Sequence, residues 1–373
     1  MMKKEEFFNP ERRSLAIEYN KEKRKLSLFG LFLEFIFWLF ILGFSLERTG
    51  YNYLNKLALH HELKLLIYLF TFYLLYSLWS LNSAYNEYKV ERKYSLSNQD
   101  KKEWLIDEVK SFILGLLFFF FAVRGYLYLA ARFPENWWIY YSIIAAVFLI
   151  TIAFIFPLVL VPLFFRLDSY PESELKERLW QLVKRAGVKI DDIYEINLSS
   201  KVNAANAAVM GLGKSRKIVL SDNLKDKYSI EEIEAVLAHE LGHQVNGDML
   251  KNILAEFITI LFIIFLVFKS WPVIINRLAY DSITSVMTIP ALTLYVSLLS
   301  WLLSPLGLYL SRRLEKKADL YAVQLTGKGE FLARALARLA DEDLLPLKVG
   351  IYRKIFKSSH PPVGERVEYI LHK

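Results

Sequence analysis

Residues 111–131 read SFILGLLFFFFAVRGYLYLAA, and this stretch decides the fold. One charge, Arg124, interrupts a run that is otherwise apolar or aromatic. A helix needs about 20 mainly apolar residues to cross a bilayer, and this run supplies them. A helix on the surface of a soluble protein would carry a polar face, and this one has none. Working outward, five more runs read as spans: 28–46, 65–84, 138–160, 252–270 and 286–307. The one at 252–270 is the least clean, because Lys251, Asn252 and Glu256 lie at its start. The chain is therefore expected to be mainly α, a polytopic membrane helix bundle of about six spans with a seventh left open. Apolar residues make up 54% of the sequence, which excludes a pair of ordinary soluble domains. The first run follows a long polar segment and lacks a small-residue cleavage site, so it reads as a retained anchor rather than a signal peptide.

Lys and Arg in the loops set the expected orientation. Lys3, Lys4, Arg12, Arg13, Lys21, Lys23, Arg24 and Lys25 precede the first span. Lys89, Arg92, Lys93, Lys101, Lys102 and Lys110 follow the second, whereas Arg132 stands alone after the third. The N-terminal tail, the 85–110 loop, the 166–250 region and the C-terminus are thus expected on the cytoplasmic side. This asymmetry accounts for the net charge of +8 without a nucleic-acid partner; the expected surroundings are the lipid bilayer. No cysteine is present, which excludes disulfides and thiolate-held metal.

Residues 239–243 read His-Glu-Leu-Gly-His. Ser229 to Gly247 has the period of an amphipathic helix, with Ile230, Ile233, Val236, Leu237 and Leu241 on the apolar side. Ser229 and Glu232 have capping-box spacing at its start. His239 and His243, at i and i+4, then share a face, so both imidazoles can reach one ion. Glu240 stands beside the first ligand, where its carboxylate can reach a water at the metal without binding the metal. This is the H-E-x-x-H pattern of zinc peptidases, and Glu240 is its expected general base. The chain has only six histidines, so a chance pattern is improbable.

A catalytic zinc needs a third protein ligand and an open position. With no cysteine, that ligand is His, Asp or Glu. Residues 311–319, SRRLEKKAD, directly follow the last span and read as helix. Glu315 and Asp319 are again i and i+4. Glu315 would complete the set, and Asp319 would hold the free ring N–H of a ligand histidine. The competing reading is a solvated charged face, since Arg312, Arg313, Lys316 and Lys317 surround both acids.

SRRLEKKAD resembles the S-R-x-x-E-x-x-A-D signature of integral-membrane zinc endopeptidases of the CAAX prenyl protease 1 type, which heat-shock-induced membrane metalloproteases share. Glu91–Gln99, Pro162–Leu167, Asn203–Asp222 and Ser359–Arg366 (SHPPVGER) are similar to further segments of that family. The likeness runs from about residue 85 to the C-terminus. It implies a zincin-like α+β catalytic region with a small hairpin and edge strand, and one Zn2+ per chain. It implies that Asn203, Ala204, Ala205, Asn206 and Ala207 hold the substrate backbone, and that His360 and Arg366 lie near the metal as catalytic groups stabilising the oxyanion. From the residues alone, Ile218-Val219-Leu220 has strand character and Gly211–Lys214 is a turn signal.

The expected organisation is a basic tail (1–27), spans one to four (28–165), a catalytic region (166–250), spans five and six (251–310) and a C-terminal catalytic segment (311–373). The expected substrate is a peptide or protein, prenylated or not. Three readings compete: removal of the C-terminal tripeptide of prenylated proteins, general degradation of membrane proteins, and a non-proteolytic membrane binding or chaperone module. Glu34, Arg124 and Glu256 are costly in lipid and are expected to face protein or a water-filled cavity.

Overall fold

The computed structural model describes residues 4–211, Gly213 and 216–372. Leu212 and Lys214 of the Gly211–Lys214 turn signal lie outside the described residues.

Among the described residues, six helices are long and apolar enough to cross a membrane. The first four belong to the N-terminal half. Helix α1 (Pro10–Trp38) continues through a wide turn at Leu39–Gly43. A short helix, α2 (Leu46–Lys56), leads to α3 (His61–Lys93), α4 (Lys101–Arg132) and α5 (Trp137–Ile155). Their outer faces leave large apolar side chains exposed, among them Phe121, Ile143, Ile144 and Val147, as lipid-facing surfaces do. Glu34 and Glu256 are exposed, and Arg124 pairs with Glu62 at 2.9 Å.

After the short α6 (Val161–Phe164) the chain enters an α+β region. It comprises β1 (Leu167–Ser169), α7 (Glu174–Ala186), β2 (Ile193–Ile196), β3 (Ala207–Met210), β4 (Lys217–Ser221) and α8 (Leu224–Lys227). The strands form one sheet in the order β1-β2-β4-β3. Strands β3 and β4 are antiparallel, with Ala208 opposite Val219, and β2 runs parallel to β4. The hairpin expected from the sequence is therefore two strands of a four-stranded sheet. Its edge is β3, and the apolar Ile218-Val219-Leu220 lies inside.

Helix α9 (Ile230–Val245) packs against this sheet. Ser229 and Glu232 cap its start reciprocally. Ile233, Leu237 and Leu241 are buried with Ile193, Ile218 and Leu220 of the sheet and Leu179 and Leu182 of α7. Each such side chain contributes about 1.5–3 kcal/mol on burial. Gly247, at φ +65°, then turns the chain into α10 (Asp248–Arg277), the fifth spanning helix. It begins four residues before the span expected at 252–270, because the polar turn at its start continues the same helix. The sixth is α11 (Ile289–Thr326), which carries SRRLEKKAD in its last turns. Helices α12 (Gly329–Glu342), α13 (Ile351–Phe356) and α14 (Val363–Leu371) close the chain.

The N-terminal residues join this end of the molecule. Arg12 donates to the carbonyls of Asp341 and Glu342, and Arg13 to those of Ala340 and Leu345. Two cations at the C-terminal end of α12 satisfy carbonyls that the helix leaves open and face the negative end of its dipole.

Candidate metal centre

Helices α9 and α11 meet at Gly242. A Cβ there would lie 3.1 Å from the Cα of Ala318 and 3.2 Å from its carbonyl oxygen. Only a glycine lets the two backbones come this close without displacement. The approach brings His239 and His243 of α9 to Glu315 of α11, one turn before Ala318.

His239 Nε2 lies 3.5 Å from Glu315 Oε2, and His243 Nε2 lies 3.4 Å from Glu315 Oε1. Ligands held at about 2.0–2.1 Å around a tetrahedral ion are spaced roughly 3.3–3.4 Å apart. Glu315 is buried, and its Oε2 has no hydrogen-bond partner. A buried carboxylate oxygen left without a donor is costly unless positive charge lies near; Arg366 Nη1 at 3.7 Å supplies part of that charge, and an ion among the three side chains would supply more. The three residues therefore fit a metal ion with one protein carboxylate and two imidazoles.

Both ring nitrogens that face away from Glu315 meet an acid. His239 Nδ1 lies 2.9 Å from Asp319 Oδ1, and His243 Nδ1 lies 3.0 Å from Asp248 Oδ2. A carboxylate in that position accepts a hydrogen bond from Nδ1–H, which keeps the proton on Nδ1 and leaves Nε2 free to bind metal. Asp319 and Asp248 are both buried. Without a cation, burial works against charge on His239, but Asp319 and Glu315 outweigh it and hold its pKa at about 9. His243 is raised as well, its burial outweighed by Glu315 and Asp248. Glu240 is half-buried, and desolvation lifts its carboxyl above the usual range.

The C-terminal segment folds onto this cluster. His360 Nε2 lies 3.2 Å from Glu315 Oε1, and the side chain is otherwise exposed. Arg366 is buried and donates to Asp319 from Nε at 2.9 Å and from Nη2 at 2.6 Å. Its Nη1 stands 3.7 Å from Glu315 Oε2. The Tyr369 hydroxyl also donates to Asp319.

The five residues Asn203–Ala207 lie at the start of the sheet edge, and only Ala207 is inside β3. Asn203 spends its N–H on Leu96, and its carbonyl accepts from Asn223. Asn206 accepts from the N–H of Ser221 and donates its own to the Ser221 hydroxyl, so it faces β4. Antiparallel strands alternate, so Ala208 and Met210 also face β4, and the N–H and C=O groups of Ala207 and Val209 point outward from the sheet. Sequence reasoning missed Asp248 and Val209. The signal for Asp248 was its place just past a glycine after the second histidine.

Residues 169–373 match "Peptidase family M48", and residues 3–166 match "CAAX prenyl protease N-terminal, five membrane helices". Over that N-terminal stretch the described residues include four helices of spanning length and the short α2. The Bacillus subtilis protein named "Uncharacterized metalloprotease YhfN" is 27% identical over 97% of this chain and 86% of its own length. "CAAX prenyl protease 1" of Saccharomyces cerevisiae is 30% identical over 76% of this chain and 67% of its own. The crystal structure of S. mikatae Ste24p superposes with a TM-score of 0.89 at 24% identity, covering 98% of this chain and 90% of that one.

Proposed function

The chain belongs to peptidase family M48 and is an integral-membrane metalloendopeptidase, and on that premise we propose that its metal is zinc, held by His239, His243 and Glu315. The observation that carries this reading is the pair of Nε2–carboxylate separations of 3.4 and 3.5 Å, each histidine backed by its own acid. The donor set of two nitrogens and one oxygen suits zinc.

When bound, the metal supplies Lewis-acid polarisation of the scissile carbonyl and of the attacking water. Glu240 accepts the proton that water gives up and delivers it to the departing amine nitrogen. Its raised pKa suits that exchange, because a carboxylate closer to neutral both takes and returns a proton readily. His360, exposed beside Glu315, donates a hydrogen bond to the oxygen on which negative charge develops. Arg366 spends two donors on Asp319 and adds positive charge from behind the site. Ala207 and Val209 offer outward N–H and C=O groups to which a peptide strand can pair.

The substrate we propose is a protein whose C-terminal region carries a prenylated cysteine, by likeness to the relatives named CAAX prenyl protease 1. The catalytic region is proposed to face the cytoplasm. Its contacts with the start of α1 support this, since that segment carries the lysines and arginines that favour the cytoplasmic side.

The test is cleavage by detergent-purified protein of two fluorogenic peptides, one farnesylated at a CAAX cysteine and one not. Selective cleavage of the farnesylated peptide, lost in Glu240→Gln, is the expected result. Equal cleavage of both replaces the prenyl reading with a broad membrane protease. Retention of activity in Glu240→Gln overturns the mechanism.

A further inference from the structure

Helix α13 lies outside the six spanning helices, yet it turns large apolar side chains outward. Ile351 is 78% exposed, Tyr352 49% and Ile355 37%. Ile351 and Ile355 are one turn apart and share a face. An exposed apolar face of this kind marks an interaction surface, and the contacts of α13 show what it meets. The Phe356 ring stacks on Trp301 with 5.0 Å between centroids, and Tyr352 stacks on Phe356 at 5.3 Å. Trp301 is exposed and lies near the end of the apolar run 286–307 of α11. Lys357 Nζ donates to Ser27 Oγ at 2.9 Å. Ser27 immediately precedes Leu28, the first of the exposed apolar residues Leu28, Leu31, Phe32 and Phe35 on α1. Two spanning helices thus place α13 level with the ends of their apolar runs, which is the headgroup layer of a bilayer.

The charge at this level is positive and unspent. Arg353 Nη1 donates to Asn20 Oδ1 at 3.1 Å, so it and Lys357 both meet neutral groups of α1. Asn20, Arg24 and Ser27 stand at i, i+4 and i+7, which puts Arg24 on the face of α1 that α13 touches. Among the described residues, none of Arg24, Arg353 and Lys357 is paired with an acid. Lys354 is, with Glu365 at 2.8 Å.

We propose that α13 is a membrane-interface helix. Ile351, Tyr352 and Ile355 enter the headgroup layer, and Arg24, Arg353 and Lys357 take the phosphates of anionic phospholipid. Apolar side chains beside a cluster of cations are the pattern that holds a helix in such a layer, and basic residues next to a span attract anionic lipid. The proposal needs neither the metal nor the substrate reading, but it bears on both. His360, three residues past Lys357, lies 3.2 Å from Glu315, and Arg312 holds the carbonyl of Ser358 between them. The segment that reaches the metal centre is then fixed by lipid at its start and by protein at its end.

The experiment uses the full chain in phospholipid vesicles and reads position rather than activity. The chain has no cysteine, so Ile351→Cys creates a single site for an environment-sensitive fluorophore. Lys189→Cys, exposed after α7, and Ile143→Cys, on the outer face of α5, serve as water and lipid references. In vesicles of mixed phosphatidylcholine and phosphatidylglycerol, the label at position 351 is expected to emit between the two references and to be quenched by brominated lipid. Brominated phosphatidylglycerol is expected to quench it at least about twofold more than brominated phosphatidylcholine at equal mole fraction. Arg353→Gln with Lys357→Gln should erase that preference. Arg353→Lys with Lys357→Arg should keep it, which separates the charge from the hydrogen bonds to Asn20 and Ser27. A label at position 351 that matches the water reference, open to iodide and untouched by brominated lipid, overturns the proposal. Equal quenching by the two lipids in the Ile351→Cys chain overturns it as well.

Discussion

Arg366 grips Asp319 with two parallel hydrogen bonds, of 2.9 and 2.6 Å, and both residues are buried. Asp319 in turn lies against His239, so a residue seven positions from the end of the chain orients a proposed metal ligand. Breaking a buried ion pair from one side costs about 3–5 kcal/mol, because the remaining charge has no partner. Arg366→Ala should therefore lower the apparent melting temperature in detergent. Asp319→Asn with Arg366→Ala should be milder than Arg366→Ala alone. A double variant as unstable as the single one would show that the pair matters through packing instead.

Asp248 does for His243 what Asp319 does for His239, but from the first residue of a spanning helix. Outer carboxylates of this kind are typically worth about 10–100-fold in metal affinity. Asp248→Asn should weaken metal binding by that order in a chelator competition while leaving helix content intact. Unchanged affinity would assign Asp248 to the first turn of α10 and its pair with Lys251 alone.

Gly242→Ala tests the helix crossing. The new methyl would stand 3.1–3.2 Å from Ala318 and Tyr321, so α9 or α11 must give by a few tenths of an ångström. The displacement falls between the histidines and Glu315. Metal affinity should drop, with a smaller effect on the melting temperature of the metal-free protein. Wild-type affinity would mean that the site adapts to the shift.

Metal binding should depend on pH with a defined sign. Metal-free His239 keeps its second proton up to about 9, because Asp319 and Glu315 outweigh burial. A metal must displace that proton, and His243, raised as well, gives up another wherever it is protonated, so apparent affinity rises with pH and levels off near that value. Titration with a chelator of known pH dependence measures the slope. A flat profile between neutral pH and about 9 would show that His239 is neutral before the metal arrives.

The spans and the metal helix were legible because each announces itself locally. Residues 111–131 have no polar face to present to water, and Ser229, Glu232 and the two histidines fit one helical period. Glu315 and Asp319 were legible as a pair at i and i+4, although the lysines and arginines around them fit a solvated face equally well until the crossing at Gly242 buried them. Asp248 was hidden because it lies five residues past His243, across the left-handed turn at Gly247, where helical spacing no longer applies. The strands β1 and β2 were too short to show a period. Arg12 and Arg13 read as membrane-side charge in the sequence, and nothing local could reveal that they cap a helix more than 320 residues away.

The two halves of the proposed metal site adjoin different membrane helices. His243 is braced by Asp248, the first residue of α10, three residues after α9 ends at Val245, and Glu315 lies on α11 beyond its interior Pro305. Any force that tilts one of these helices against the other changes the gap between imidazole and carboxylate. The spacing of the three side chains is thus set by how α10 and α11, both spanning helices, pack against each other.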